Sequence, residues 1–215
     1  MEFDIQKLAI NALPVIFAIT LHEAAHGYAA RHFGDDTAWR EGRISANPLR
    51  HIDPVGTILV PALILLLSQA SLLFGWAKPV PVNFGNLRRP KQDMLWVAAA
   101  GPGANLAMAL GWACLLKLAV LMPVHAYTEA MEEMGRAGLV VNTGLMLLNL
   151  LPIPPLDGGR IMVSLLPHRA AWKFAQLERY GLVILLALLF LGVLDVVLYP
   201  LMGLFLLLLK SLFGI

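Results

Sequence analysis

The chain has 215 residues and a formal net charge of +2, with 59% hydrophobic and only 14% charged residues; its mean hydropathy of +0.72 excludes an ordinary soluble domain. So weak a positive balance gives no reason to expect nucleic acid as a partner. The single cysteine, Cys114, sits in an apolar run, which excludes an internal disulfide and a thiolate metal cluster and leaves a small core residue as the expectation.

In chain order, apolar segments cover 5–30, 54–74, 95–124, 139–151 and 182–209, and several approach the roughly 20 residues needed to cross about 30 Å of hydrocarbon. The expected fold is an all-α polytopic membrane protein. It has five to six transmembrane or re-entrant helical segments with short extended or β connectors, forming a single integral domain over 1–215. The N-terminus carries acidic residues ahead of its apolar run and no small-residue cleavage site after it, so the first helix is expected to stay. Segment 182–209 is too long for one ordinary span. Tract 192–200, with Asp195, Tyr199 and Pro200, is where a break is expected, so the count stays at five or six.

Polar connectors occupy 34–53, 75–93 and 166–179. Tracts 44–48 and 80–84, flanked by Gly or Pro, read as extended strands or turns. His32, His51, His125 and His168 fall in or near connectors and read as interfacial or loop residues. Trp76 and Trp96 flank connectors as headgroup-level aromatics do.

The first apolar segment contains His22-Glu23-Ala24-Ala25-His26. On a helix, residues four apart stand one above the other, so both imidazoles face the same way, with Glu23 projecting close by as a general base. Ionisable groups inside a span cost several kcal/mol unless paired or hydrated, so three within five residues argue for a purpose. A catalytic zinc needs three protein ligands and an open position. The third candidate is Asp157, where Pro152, Pro154 and Pro155 must end a helix and Gly158 and Gly159 permit unusual backbone. Read alone, Asp157 would serve as a cap for the next helix.

With these residues in view, the chain resembles the site-2 protease family of intramembrane zinc metalloproteases. The resemblance rests on His22 to His26, on Gly101-Pro102-Gly103-Ala104-Asn105 opening a middle span, and on the tract from Asn149 to Gly159, in the family's order. It implies one zinc ion per chain held by His22, His26 and Asp157, with Glu23 as the base. It also implies Asn149 as a polar helper near the oxyanion and Asn105 in a supporting role; interhelical hydrogen bonding is the alternative for Asn105. The tract from Gly75 to Asn83 looks like the compact subgroup without PDZ or CBS domains.

The expected activity is hydrolysis of peptide bonds in or near transmembrane segments of membrane-protein substrates, within the lipid bilayer. The extended tracts 80–84 or 44–48 are expected to accept the unwound substrate. For the three parts of the site to share one depth, the stretch from 34 to 92 must begin and end on one face, with 54–74 dipping in and returning near Pro61 or 68–71 or paired with another excursion; a single crossing there is the second reading. Lys and Arg then crowd that side, which the positive-inside rule makes cytoplasmic, in a multi-pass cell-membrane protein with its active site nearer that face. A membrane zinc transporter and a non-catalytic binder of membrane segments are the rival readings.

Overall fold

A computed structural model describes residues 5–67, 75 and 77–215. The first helix, α1 (Ile5–Phe33), is long because its apolar run lacks helix breakers other than Pro14. Ala18, His22, His26 and Ala30 recur every fourth residue and so form one stripe, each 9% exposed or less. Leu13, Ile16 and Phe17 are exposed away from it.

An excursion follows through α2 (Thr37–Arg40), a 3-10 turn at Pro48–His51, a π-helical turn at Pro54–Leu59, α3 (Val60–Leu67) and a 3-10 turn at Phe84–Asn86. It closes on itself: the backbone N–H of Arg88 donates to Phe33 O at 3.0 Å. The next helix, α4 (Pro90–Leu121), therefore starts where α1 stopped, with Pro90 in a first turn that needs no N–H donor.

The remaining elements are α5 (Ala126–Leu150), α6 (Asp157–Leu165), α7 (His168–Ala175), a 3-10 turn at Gln176–Tyr180, α8 (Gly181–Phe190) and α9 (Val193–Phe213). α4 is the central element, packed on α1, α5 and α6, and α5 also packs on α1 and α9. Small residues let these helices approach closely. Ala109 and Ala113 form a core cluster with Leu139 and Leu209, and Gly138 faces the ring of Trp112, which a Cβ there would meet at 2.3 Å.

Among the described residues, two helices, Pro90–Leu121 and Val193–Phe213, are long and apolar enough to cross a membrane. On α9, Val196, Leu204, Leu207, Leu208 and Leu212 are exposed, an apolar face suited to lipid.

The structure corrects several expectations. Among the described residues no strand forms, and the 80–84 tract is irregular backbone leading into a 3-10 turn; Pro79 and Pro81 have no N–H to give to a ladder. Segment 182–209 is two helices, with the joint at Gly192 (φ +71), the first residue of the tract where a break was expected; Pro200 lies inside α9. Only a residue without a Cβ takes that left-handed angle cheaply. Segment 139–151 is the last part of α5, whose first half carries Glu129, Glu132, Glu133 and Arg136. Cys114 is exposed, because the buried stripe of α4 runs through Ala109, Ala113 and Leu116. The proposed turn at 68–71 and Trp76 lie outside the described residues.

Asp35 fastens the excursion to the bundle. Fully buried, its carboxylate accepts from Asn83 N at 2.7 Å and Asn86 Nδ2 at 3.1 Å, and from the backbone and hydroxyl of Thr37. Burial pushes its pKa up, but these four donors outweigh burial and hold it below the ordinary value. A carboxyl with a lowered folded pKa stabilises the fold above its unfolded pKa of about 4, and that contribution vanishes as pH falls through the folded value. Asp35→Asn is expected to unfold more readily at neutral pH and to lose less further stability on acidification than the parent. Thermal unfolding of the detergent-solubilised chain across that range checks it.

Candidate metal centre

The stripe on α1 turns the Nε2 atoms of His22 and His26 toward each other at 3.1 Å, with the ring planes 81° apart. Asp157 reaches the same point from the start of α6. Its Oδ2 lies 3.2 Å from His22 Nε2 and 3.3 Å from His26 Nε2. The prolines after Leu151 stop α5, and the chain turns at once, with Leu156 N donating to Ile153 O at 2.9 Å. Gly158 and Gly159 are required by close approach: a Cβ would stand 2.2 Å from Leu151 O at the first and 2.6 Å from Pro154 N at the second.

The tautomers follow from the neighbours. Asn105 Nδ2 donates to Ala18 O at 3.2 Å and to Asn142 Oδ1 at 3.0 Å, so its oxygen is the atom 2.6 Å from His22 Nδ1. An amide oxygen only accepts, hence His22 carries its proton on Nδ1. His26 Nδ1 likewise donates to Val97 O at 2.8 Å. In the neutral rings both Nε2 atoms then present lone pairs to Asp157 Oδ2, a buried oxygen that receives no hydrogen bond. An ion pair at these distances would need an Nε2 proton that neutral rings of this tautomer do not have.

Three buried lone-pair donors facing one another repel unless a cation lies among them. Their mutual spacings of 3.1, 3.2 and 3.3 Å match the roughly 3.3 Å between tetrahedral ligands at zinc–ligand bonds of about 2.0–2.1 Å. Nitrogen, nitrogen and oxygen donors with both imidazoles anchored through Nδ1 suit zinc. Among the described residues these three are the one group of His, Cys, Asp and Glu able to share a metal ion.

Glu23 is partly buried, and its Oε2 accepts from the backbone N–H of Val80 at 2.8 Å. That segment is itself clamped: Arg43 Nη2 donates to Lys78 O and Pro79 O at 3.2 and 3.3 Å, and Lys78 N donates to His51 O at 2.8 Å. Asn149 gives one amide hydrogen to Leu145 O on its own helix at 3.0 Å, which leaves the other to donate elsewhere. His32, His51, His125 and His168 stay out of the cluster; His51 is buried, with Nε2 2.9 Å from Ser45 O.

Three contacts escaped the sequence reading. Asn142 orients Asn105, Val80 holds the Glu23 carboxylate through its main chain, and Gly101 forms the wall against the imidazoles. A polar residue within an apolar run was the available signal for Asn142. Main-chain contacts leave none.

A model of the family described as Peptidase family M50 matches residues 126–192. The chain is 37% identical over 209 residues to "Putative zinc metalloprotease YwhC" of Bacillus subtilis, covering 94% of this chain and 90% of that protein. It is 29% identical over 174 residues to "Putative zinc metalloprotease Rip2" of Mycolicibacterium smegmatis, covering 81% of this chain and 64% of the relative. The Mycobacterium tuberculosis protein of that name is 31% identical, with 80% and 63% covered. No solved structure matches the chain.

A Cβ at Gly101 would lie 2.4 Å from His26 Nε2 and 2.6 Å from His22 Nε2. Gly101→Ala is therefore expected to weaken zinc binding by more than the roughly 10–100-fold typical of losing one outer hydrogen-bond partner. Competition with a chromophoric chelator measures it, and an unchanged affinity would show that the metal does not sit against α4.

Proposed function

This chain belongs to peptidase family M50, the site-2 protease family, and is a zinc metalloprotease of the membrane; on that premise we propose how its own residues cut the peptide bond. His22, His26 and Asp157 hold one zinc ion, Glu23 is the general base, Asn149 assists at the oxyanion and Asn105 supports His22. The substrate is a membrane protein cleaved in or near a transmembrane segment. The observation that carries this reading is the convergence of three lone-pair donors within 3.1–3.3 Å in a buried site.

Bound zinc supplies Lewis acidity toward water and a peptide carbonyl. Glu23 takes up the proton that the attacking water releases and delivers it to the leaving amine. The Val80 N–H fixes one carboxylate oxygen and leaves Oε1 to carry that proton. Asn149, with an amide hydrogen to spare, donates to the carbonyl oxygen as charge builds there. Asn105 keeps the His22 Nε2 lone pair available.

A helical substrate hides its carbonyls and must unwind, and the 80–84 or 44–48 backbone receives the opened segment by strand addition. In the first tract Pro79 and Pro81 lack N–H groups and the Val80 N–H already serves Glu23, so Val80 offers an incoming strand its carbonyl, and the next N–H along the tract is that of Val82.

The single integral domain crosses the membrane several times, with the site nearer the cytoplasm. What supports this is the hydrogen bond from Arg88 to Phe33, which brings the start of α4 back to the end of α1. The Lys and Arg of the connectors then gather on one face.

Purified chain incubated with single-span substrates, with and without a zinc chelator, tests the mechanism. Glu23→Gln is expected to cut turnover by about 10²–10⁴-fold while zinc content stays unchanged; a carrier of zinc would show no such separation. Val80→Pro deletes one N–H in a tract already rich in proline. It is expected to lower kcat about 10–100-fold, the worth of a hydrogen bond to a charged group, without loss of zinc, and cleavage at the parental rate would remove both Val80 roles.

A further inference from the structure

Two amides are buried completely inside an apolar bundle, Asn105 on α4 and Asn142 on α5, each 0% exposed. An amide left unpaired in such a place costs a few kcal/mol, so the pattern in which their hydrogens are used is tightly constrained. Asn142 is oriented by its own helix: Nδ2 donates to Gly138 O, four residues back, at 2.8 Å. Its oxygen must then face α4, where it accepts from Asn105 Nδ2 at 3.0 Å. The other Asn105 amide hydrogen goes to Ala18 O on α1 at 3.2 Å. With both hydrogens committed, the Asn105 oxygen has one direction left, toward His22 Nδ1 at 2.6 Å.

We propose that Asn142 is a positioning residue for the metal, presetting the tautomer of His22 through Asn105. This rests on the reading that His22, His26 and Asp157 hold zinc. The chain of dependence is physical at each link. Remove the acceptor on residue 142, and Asn105 keeps only the longer bond to Ala18 O, at 3.2 Å, to distinguish its nitrogen end from its oxygen end. Turned over, Asn105 would offer an N–H to His22 Nδ1, which must then be the lone-pair nitrogen, and the imidazole proton moves to Nε2. That proton sits where the cation belongs and has to be displaced before metal can bind. His26 has no such dependence, because its Nδ1 donates to the main-chain oxygen of Val97, which cannot rotate. One of the two imidazoles is thus set by backbone and the other by a relay of side chains across three helices.

Asn142→Leu keeps the shape and removes the acceptor; Asn142→Ser also removes it from reach and is small enough to fold if leucine is not. Asn142→Asp keeps an acceptor for Asn105. Zinc affinity of the full chain in detergent is read by competition with a chromophoric chelator. The His22 tautomer in metal-free protein is read from imidazole nitrogen-15 shifts, assigned with a His22→Ala variant. Expected are a weakening of about 10–100-fold for the leucine and serine variants, with His22 losing its Nδ1–H preference, and parental affinity for the aspartate variant. Parental affinity in the leucine or serine variant overturns the proposal, as does an aspartate variant as weak as the leucine one. If parental protein and His22→Ala bind zinc equally, the metal reading itself fails and takes this inference with it.

Discussion

Two imidazole lone pairs and a carboxylate oxygen that accepts no hydrogen bond, all within 3.3 Å of one another, are mutually repulsive in a site with little water to screen them. A divalent cation reverses the sign of that interaction. Much of the central packing can be understood as the means of forcing those three atoms together. Each of the three side chains is pinned on its far side: His22 by Asn105, His26 by Val97 and Asp157 by the turn that precedes it. The wall behind the imidazoles is Gly101 because any larger residue would occupy their place.

Helix packing serves the same end. In a bilayer, helices do not associate to escape water, so close approach depends on small residues and a few internal hydrogen bonds. Here the small residues lie on α4 and α5, at Ala109, Ala113 and Gly138, and the internal hydrogen bonds lie beside the candidate metal centre, through Asn105 and Asn142. The polar network that orients a ligand is therefore also a link between α1, α4 and α5. The same bonds that join the helices also fix the rings of the candidate metal centre.

Much of the site was legible in the sequence, for a geometric reason. His22 and His26 are spaced by one helical turn, and a turn is local, so periodicity alone places both rings on one face. Asp157 was legible because three prolines and two glycines in so few residues forbid a continued helix. What was not legible depended on distance in the chain. Asn142 meets Asn105 only because α5 packs on α4, and Val80 meets Glu23 only because the excursion returns. The extent of α5 was misjudged from hydropathy, since its first half carries charged residues and a helix does not have to be apolar to be a helix. The joint in 182–209 falls within the tract 192–200 where it was sought, at the left-handed Gly192, while Pro200 is tolerated within α9.

The bond between Phe33 and Arg88 has an evolutionary corollary. Because it fastens both ends of the intervening chain at one point, that chain is a closed ring appended to the catalytic bundle. The entropy of closing a flexible ring grows only with the logarithm of its length. Insertions or deletions that spare Asp35 and the segment carrying Val80 would leave the ligand residues and the Glu23 contact where they are, and new substrate preferences could arise there without renegotiating the chemistry.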